Sequence, residues 1–156
     1  MTDPRRHRQD PGSTDERPDE MLPTATHARQ HATVRQVHET ELIEDYVELI
    51  ADLIDATGQA RAAEVARRMD VRQATVAKMI GRLSERGLVT SEPYRPLHLT
   101  EDGRGMAERS RERHAVVLRF LLALGVSEDK ARIDAEGIEH HVSEETLELM
   151  RRYGES

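Results

Sequence analysis

Residues 62–87 read AAEVARRMDVRQATVAKMIGRLSERG, and this stretch decides the class of fold. Apolar side chains recur where two short helices, residues 61–69 and 73–86, must pack across a tight turn. These side chains are Val65, Met69, Val71, Val76 and Met79, with the small Ala66 where the helices touch. The turn position that is often Gly is Asp70, which tolerates a left-handed backbone better than most residues. The pattern predicts a helix-turn-helix motif.

The flanking residues extend this motif into a winged variant. Residues 88–90 and 97–99 favour two short strands, and the turn-rich residues 91–96 form the hairpin tip between them. Upstream, residues 41–57 carry two apolar rows at spacings of four and three, which is typical of a helix that faces a core. Gly58 ends this helix.

The C-terminal half predicts three further helices. Thr100 can cap a helix that runs to about Leu124, where Gly125 stops it. Ser127 caps a second helix that ends near His141, and Ser143 caps a last one that ends at Gly154. The fold class is therefore mainly α, with a helical domain after the winged helix-turn-helix.

The domain division follows from composition. Residues 1–36 have few large apolar side chains and are predicted to be a disordered tail, in which Arg29 and Arg35 could add phosphate contacts. The winged helix-turn-helix domain covers residues 37–100, and the helical domain covers residues 101–156.

Composition excludes several classes of protein. The 156 residues contain no Cys, which excludes disulfides, thiolate metal sites and a cysteine nucleophile. No stretch approaches the roughly 18–20 apolar residues of a membrane span. The first 23 residues lack the apolar core of a secretory signal. We expect a cytoplasmic protein with no membrane partner.

The charge distribution singles out the helix-turn-helix. The chain has a net charge of −7, yet residues 61–98 contain eight basic and four acidic side chains. Residues 37–60, in contrast, contain seven acidic side chains and no Lys or Arg. A basic segment attracts phosphate locally, and this segment coincides with the predicted helix-turn-helix motif.

The second helix of the motif is expected to enter the major groove of DNA by its N-terminal end. Side chains such as Gln, Arg and Thr can address base edges there, and more distal cations contact phosphates. The predicted DNA contacts are Arg72, Gln73, Ala74, Thr75, Lys78, Arg82 and, from the wing, Arg95. A winged helix used for protein contact or as a scaffold is the alternative.

The acidic parts contain candidate metal ligands. Asp45 and Glu48 lie three apart on the polar face of the first helix. Glu136, Glu139 and His140 are spaced to share one helical face, and His114 lies on the intervening helix. Taken singly, these side chains read as solvated helix surface or a core histidine. A zinc protease motif would need His at position 136, so a hydrolase is disfavoured.

Together these strings make the chain resemble the diphtheria toxin repressor family of metal-dependent repressors, and within it the manganese transport regulator branch. The resemblance covers about residues 38–154 and rests on four strings. They are EDYVE at 44–48, ATVAKM at 74–79, RH at 113–114 and EGIEHHVS at 136–143. Family members usually have Gly after the Tyr-Arg pair of the wing, where this chain has Pro96.

The resemblance implies a two-metal cluster with six protein ligands. One ion would use mainly Asp45, Glu139, His140 and the backbone carbonyl of Glu136. The other would use mainly Glu48, His114 and the Glu136 carboxylate, with Glu139 bridging. Carboxylates and imidazoles without sulfur suit Mn²⁺. The iron-responsive branch has Met and Cys where Asp45 and Glu136 stand. His141 is not included because, on a helix, it would point about 100° away from His140.

The sequence therefore predicts a manganese-responsive repressor that binds double-stranded operator DNA as a homodimer and controls manganese uptake. Apolar residues in 116–124 and 142–150 exceed what one small domain can bury, which favours the dimer. Two Mn²⁺ per subunit are expected, with Fe²⁺, Zn²⁺, Co²⁺ or Cd²⁺ able to substitute in vitro, and no small organic ligand. The alternatives are a repressor responsive to iron or another divalent metal, a metalloenzyme and a metal-independent DNA-binding module.

Overall fold

The computed structural model describes residues 23–155, so the first 22 residues and Ser156 lie outside the described part of the chain. The elements are α1 (Thr24–Thr57), α2 (Ala62–Met69), α3 (Gln73–Glu85), β1 (Val89–Thr90), β2 (His98–Leu99), α4 (Glu101–Ala123), α5 (Glu128–Ile138) and α6 (Glu144–Gly154). This order confirms the mainly α fold class with a winged helix-turn-helix. None of the helices between residues 23 and 155 has the length and apolar character needed to cross a bilayer.

The first helix starts much earlier than the sequence pattern predicts. A disordered tail over residues 1–36 is wrong for residues 24–36, which form the first turns of α1, while residues 1–22 are not described. Pro23 precedes the helix, and no Gly or Pro follows before Gly58. Once the core-facing turns nucleate α1, extending it through Ala-, Gln- and Arg-rich sequence costs little free energy.

The helix-turn-helix motif forms as the sequence pattern predicts. Asp70 ends α2 with φ 53°, and Gly58 ends α1 with φ 83°, both left-handed. The buried side chains of α1, α2, α3 and the hairpin make one core, which includes Ile43, Tyr46, Val65, Val76 and Leu83. This core holds α3 against α2 and the hairpin and leaves the opposite face of α3 exposed.

The wing is a short antiparallel hairpin. Val89 pairs with Leu99 and Thr90 with His98, and Leu97 bridges back to Ala60. At its tip Tyr94 has φ 63°, which places the turn in a left-handed conformation one residue before Arg95.

Helix α4 joins the two halves of the protein. The Thr100 side chain accepts a hydrogen bond from the Gly103 N–H, as predicted for a cap. A Cβ at Gly103 would lie 2.1 Å from the Leu88 carbonyl oxygen, so only glycine allows α4 to approach the wing this closely. Further along α4, Ala107 belongs to the first core and Val117 to the second.

The second core lies between α4, α5 and α6 and contains Val116, Val117, Leu121, Ala131, Ala135 and Leu147. Ser143 caps α6 by accepting from Thr146, as predicted, whereas Ser127 precedes α5 without a side-chain cap hydrogen bond. The prediction that α5 continues to about His141 is wrong, because α5 ends at Ile138. The residues that follow form a turn, in which the His141 N–H donates to the Ile138 carbonyl.

Candidate metal centre and DNA-binding surface

Glu139 lies at the centre of the cluster of predicted metal ligands. It follows α5 directly and is only 3% exposed. One of its oxygens, Oε2, lies 2.7 Å from His114 Nδ1 on α4, and the other, Oε1, lies 3.4 Å from His140 Nε2. Burial raises the pKa of the Glu139 carboxyl to about 7, although His114 and His140 oppose the shift. A buried carboxylate between two imidazoles is a group that a cation would stabilise.

His140 connects this carboxylate to α1. Its Nδ1 lies 2.8 Å from Glu44 Oε2, and its Nε2 lies 3.4 Å from Asp45 Oδ1. Hydrogen bonds to Asp45 and then Glu44 raise the pKa of His140 to about 10, against the opposing effect of burial. The Nδ1–H donated to Glu44 orients the ring so that Nε2 faces Asp45 and Glu139.

His114 and Glu136 form the other side of the cluster. His114 Nδ1 is 3.5 Å from Glu136 Oε1, in addition to its closer contact with Glu139. One ligand atom from each of these three residues lies within 4.8 Å of the other two. The two oxygens of Glu139 thus face two different groups, one with His114 and Glu136 and one with His140 and Asp45.

Glu48 is linked to the cluster indirectly. Its Oε2 accepts a 2.6 Å hydrogen bond from Ser110 Oγ on α4. Ser110 precedes His114 by four residues, so the two side chains lie on the same face of α4, one turn apart. The structure therefore brings together five of the six predicted ligands by direct contacts, and Glu48 on α1 is joined to α4 beside them through Ser110.

Sequence reasoning missed three residues that support the cluster. They are Glu44, which orients His140, Ser110, which holds Glu48, and Arg113. The Arg113 guanidinium donates to the carbonyls of Glu139 at 2.9 Å and Val142 at 2.8 Å, and it pairs with Glu144. These bonds hold the turn after α5. Glu44 and Arg113 belong to the strings that carry the resemblance, which assigned them no role, and no local signal pointed to Ser110.

The donor set fits a divalent cation of the harder class. The cluster offers carboxylate oxygens from Asp45, Glu136 and Glu139 and nitrogens from two histidines, without sulfur. His114 forms a 2.7 Å hydrogen bond to Glu139, and the other distances among these ligand atoms, to Glu136 on one side and between His140 and its carboxylates on the other, are 3.4–3.5 Å.

The predicted DNA contacts lie together on the exposed face of α3 and at the wing. All seven side chains are exposed: Arg72, Gln73, Ala74, Thr75, Lys78, Arg82 and Arg95. Arg72 precedes the first turn of α3, and Gln73 begins it. A groove between α1 and α3 is lined by Leu42, Thr75, Lys78, Arg82 and their neighbours. The N-terminal end of α3 is thus free to meet a ligand.

Among the described residues, some arginines are paired with carboxylates, whereas the cations of this face are not. Within residues 23–155, Arg72, Lys78 and Arg82 form no ion pair, and neither does Arg95. Other arginines are paired, such as Arg104 with Asp55 and Arg68 with Glu64. Unpaired cations on one exposed face keep their charge available for an anionic partner.

Fold and site together define a winged-helix DNA-binding protein with a candidate metal centre of carboxylates and imidazoles. The family "Iron dependent repressor, N-terminal DNA binding domain" matches residues 38–97, and "Iron dependent repressor, metal binding and dimerisation domain" matches residues 100–155. The chain belongs to this iron-dependent repressor family, the diphtheria toxin repressor family of the sequence analysis. It is a transcriptional regulator and not an enzyme.

Two relatives are similar to this chain over most of their length. The chain is 50% identical over 134 residues to "Transcriptional regulator MntR" of Escherichia coli O6:H1, covering 86% of both chains. It is 50% identical over 129 residues to the protein of the same name in Salmonella typhimurium, covering 83% of this chain and 82% of that one.

A solved structure shows the same fold in a longer chain. The chain is similar to a "Manganese-dependent transcriptional repressor complex with manganese", with 27% identity and a TM-score of 0.64. The match covers 72% of this chain and 52% of that one, so this chain spans about half the length of the solved protein.

Proposed function

We propose that this protein is a manganese-responsive repressor that binds operator DNA as a homodimer and controls manganese uptake genes. The observation that carries the proposal is the buried Glu139 carboxylate between His114 and His140, with Asp45 and Glu136 beside it. The relatives named MntR and the manganese-dependent repressor fold support the same assignment. Because its partner is DNA, the protein would act in the cytoplasm.

The proposed ligands are Asp45, Glu48, His114, Glu136, Glu139 and His140, holding two ions per chain. A bound cation supplies positive charge that offsets the repulsion among these carboxylates. The ligand types favour Mn²⁺, and Fe²⁺, Zn²⁺, Co²⁺ or Cd²⁺ would be accepted in vitro because most N/O sites bind several divalent ions. Selectivity for Mn²⁺ would then depend on geometry and coordination number.

The position of the proposed ligands explains how metal binding could change the affinity of the protein for DNA. Asp45 and Glu48 project from α1, which packs in the same core as α3. His114, Glu136 and Glu139 belong to α4, α5 and the turn after α5. A metal ion bound by these groups would fix the winged helix-turn-helix domain relative to the C-terminal half. A ligand that binds this arrangement better shifts the population towards it, and DNA must then tighten metal binding in return.

The homodimer is supported by apolar surface on the C-terminal half. Leu122 and Leu124 at the end of α4 and Leu149 on α6 are 41%, 52% and 52% exposed. A second copy of the chain would cover them and set the two α3 helices about one turn of DNA apart, ~34 Å. Light scattering that gave the mass of one chain at micromolar concentration, with and without metal, would contradict the dimer.

Calorimetric titration of the metal-free protein with Mn²⁺ tests the proposed centre. We expect two Mn²⁺ per chain in the micromolar range or tighter, because two groups of donors share the Glu139 carboxylate. Titrations with Fe²⁺ and Zn²⁺ compare selectivity on the same sample. Absence of Mn²⁺ binding at micromolar concentrations would contradict the proposal. The protein would then be a DNA-binding protein that responds to a different signal.

The affinity for Mn²⁺ should rise with pH. His140, whose pKa is raised to about 10, is protonated at neutral pH, and Glu139, whose pKa is raised to about 7, is partly protonated. A metal needs the neutral imidazole and the ionised carboxylate, so binding must release these protons. From pH 6 to pH 7 we expect an increase of about ten- to a hundredfold, since each released proton contributes about tenfold per pH unit. Calorimetry in buffers of different ionisation enthalpy measures the released protons, and an affinity that does not change over this range would refute the assignment.

A further inference from the structure

A second group of metal-ligating side chains lies outside the proposed centre, where α1 meets the turn after α5. It consists of His38, Glu41 and His141, and one ligand atom of each lies within 4.8 Å of the other two. His38 and Glu41 are three residues apart on α1 and therefore share a face. His141 reaches them because α5 has already ended at Ile138 and the chain has turned.

We propose that His38, Glu41 and His141 form a separate binding site for a borderline divalent cation, Zn²⁺ in preference to Mn²⁺. This site does not depend on the proposed function of the Glu139 centre, because it shares none of the six residues proposed as ligands there.

The distances in this group suit a tetrahedral ion. Glu41 Oε2 lies 3.3 Å from His38 Nδ1 and 3.6 Å from His141 Nε2. In a tetrahedral zinc site with ligand bonds of about 2.0–2.1 Å, neighbouring ligand atoms lie about 3.4 Å apart. The two imidazole rings lie edge to face with centroids 5.9 Å apart, so they converge on the carboxylate without stacking.

The chemistry of the group separates it from the carboxylate-rich centre. Two imidazoles and one carboxylate are a donor set that Zn²⁺ uses with a fourth, open position. The side chains of His38 and His141 are 64% and 45% exposed, which leaves room for water at that position. Mn²⁺ prefers more oxygen ligands and a higher coordination number than this group provides.

Binding here would connect the N-terminal part of α1 to the turn after α5. His38 lies on the exposed N-terminal part of α1, before the first residue that this helix contributes to the core, Ile43. His141 follows His140 in the turn that the Arg113 guanidinium also holds. An ion between them would restrain the N-terminal part of α1 against this turn.

Equilibrium dialysis of the full chain against Zn²⁺, with metal analysis, tests the site. We expect His38→Ala to hold one Zn²⁺ per chain fewer than the unchanged protein, while Mn²⁺ binding remains the same in both. His31→Ala removes an exposed histidine of the same helix two turns earlier and should lose none. His141→Ala should match His38→Ala in lost Zn²⁺. With Co²⁺ as probe, the tetrahedral absorption bands should weaken in both site variants.

The outcomes separate this site from the proposed centre. Equal Zn²⁺ content in His38→Ala and the unchanged protein would overturn the inference, as would an equal loss in His31→Ala. If the protein bound no Mn²⁺ but still lost one Zn²⁺ with His38→Ala, the proposed function would fail and this site would stand. Hydrogen exchange at residues 34–41 should slow when Zn²⁺ is added, and the slowing should be absent in His38→Ala.

Discussion

Glu139→Gln is expected to abolish metal-dependent DNA binding while leaving the fold intact. Gln has nearly the same size, and its amide oxygen can still accept a hydrogen bond from His114, which lies 2.7 Å from the native carboxylate. The variant loses the charge that faces both His114 and His140, so both proposed metal positions are weakened together. DNA affinity in Mn²⁺ should fall to its metal-free level, about 5- to 150-fold if the coupling has the usual size of 1–3 kcal/mol.

Fluorescence anisotropy with a labelled duplex selected by the unchanged protein in Mn²⁺ measures this loss. Glu145→Gln, which neutralises an exposed carboxylate in the first turn of α6, serves as the matched control and should keep the full response. Circular dichroism and the metal-free DNA affinity show whether the fold is retained. If the DNA affinity of Glu139→Gln still increased on addition of Mn²⁺, the result would favour a metal-independent DNA-binding module. In that case these carboxylates would only form a solvated helix face.

Lys78→Gln combined with Arg82→Gln should weaken binding to all DNA sequences and flatten its salt dependence. Both side chains are exposed on α3 and unpaired within the described residues 23–155. Each phosphate contact adds about 0.9 to the slope of log affinity against log salt concentration. Losing two contacts in each chain of the dimer should reduce the slope by about 4, so between 50 and 200 mM salt the affinity of the variant should fall roughly a hundredfold less than that of the unchanged protein.

Gln73→Ala provides the contrast within the same helix. Gln73 begins α3, so its loss should relax preference at one base pair of each half-site, by about 1–3 kcal/mol per base pair, and leave the salt slope unchanged. Arg132→Gln, on an exposed arginine of α5 that pairs with Glu128, is the control for lost positive charge. If Arg132→Gln reduced the slope of log affinity against log salt concentration as much as the double variant does, the assignment of α3 as the recognition helix would be untenable.

Local pattern was sufficient for the helix-turn-helix. The bounds of α2 and α3 and the left-handed Asp70 follow from apolar spacing and turn chemistry, which act between near neighbours in sequence. The start of α1 did not follow, because residues 24–36 bury little surface and their helix continues from turns packed in the core. The end of α5 did not follow either, because the Arg113 guanidinium binds carbonyls 26 and 29 residues away.

The sequence by itself determined the fold class, the reading helix and the types of side chain that could hold a metal. Tertiary structure decided how these side chains are arranged. It placed Glu139 between two imidazoles, made Glu44, Ser110 and Arg113 its supports, and brought His141 to Glu41. These contacts join α1, α4 and the turn after α5 across long stretches of chain. Helical periodicity governs neighbours within one helix, whereas such distant pairs meet only when the helices pack and exclude water.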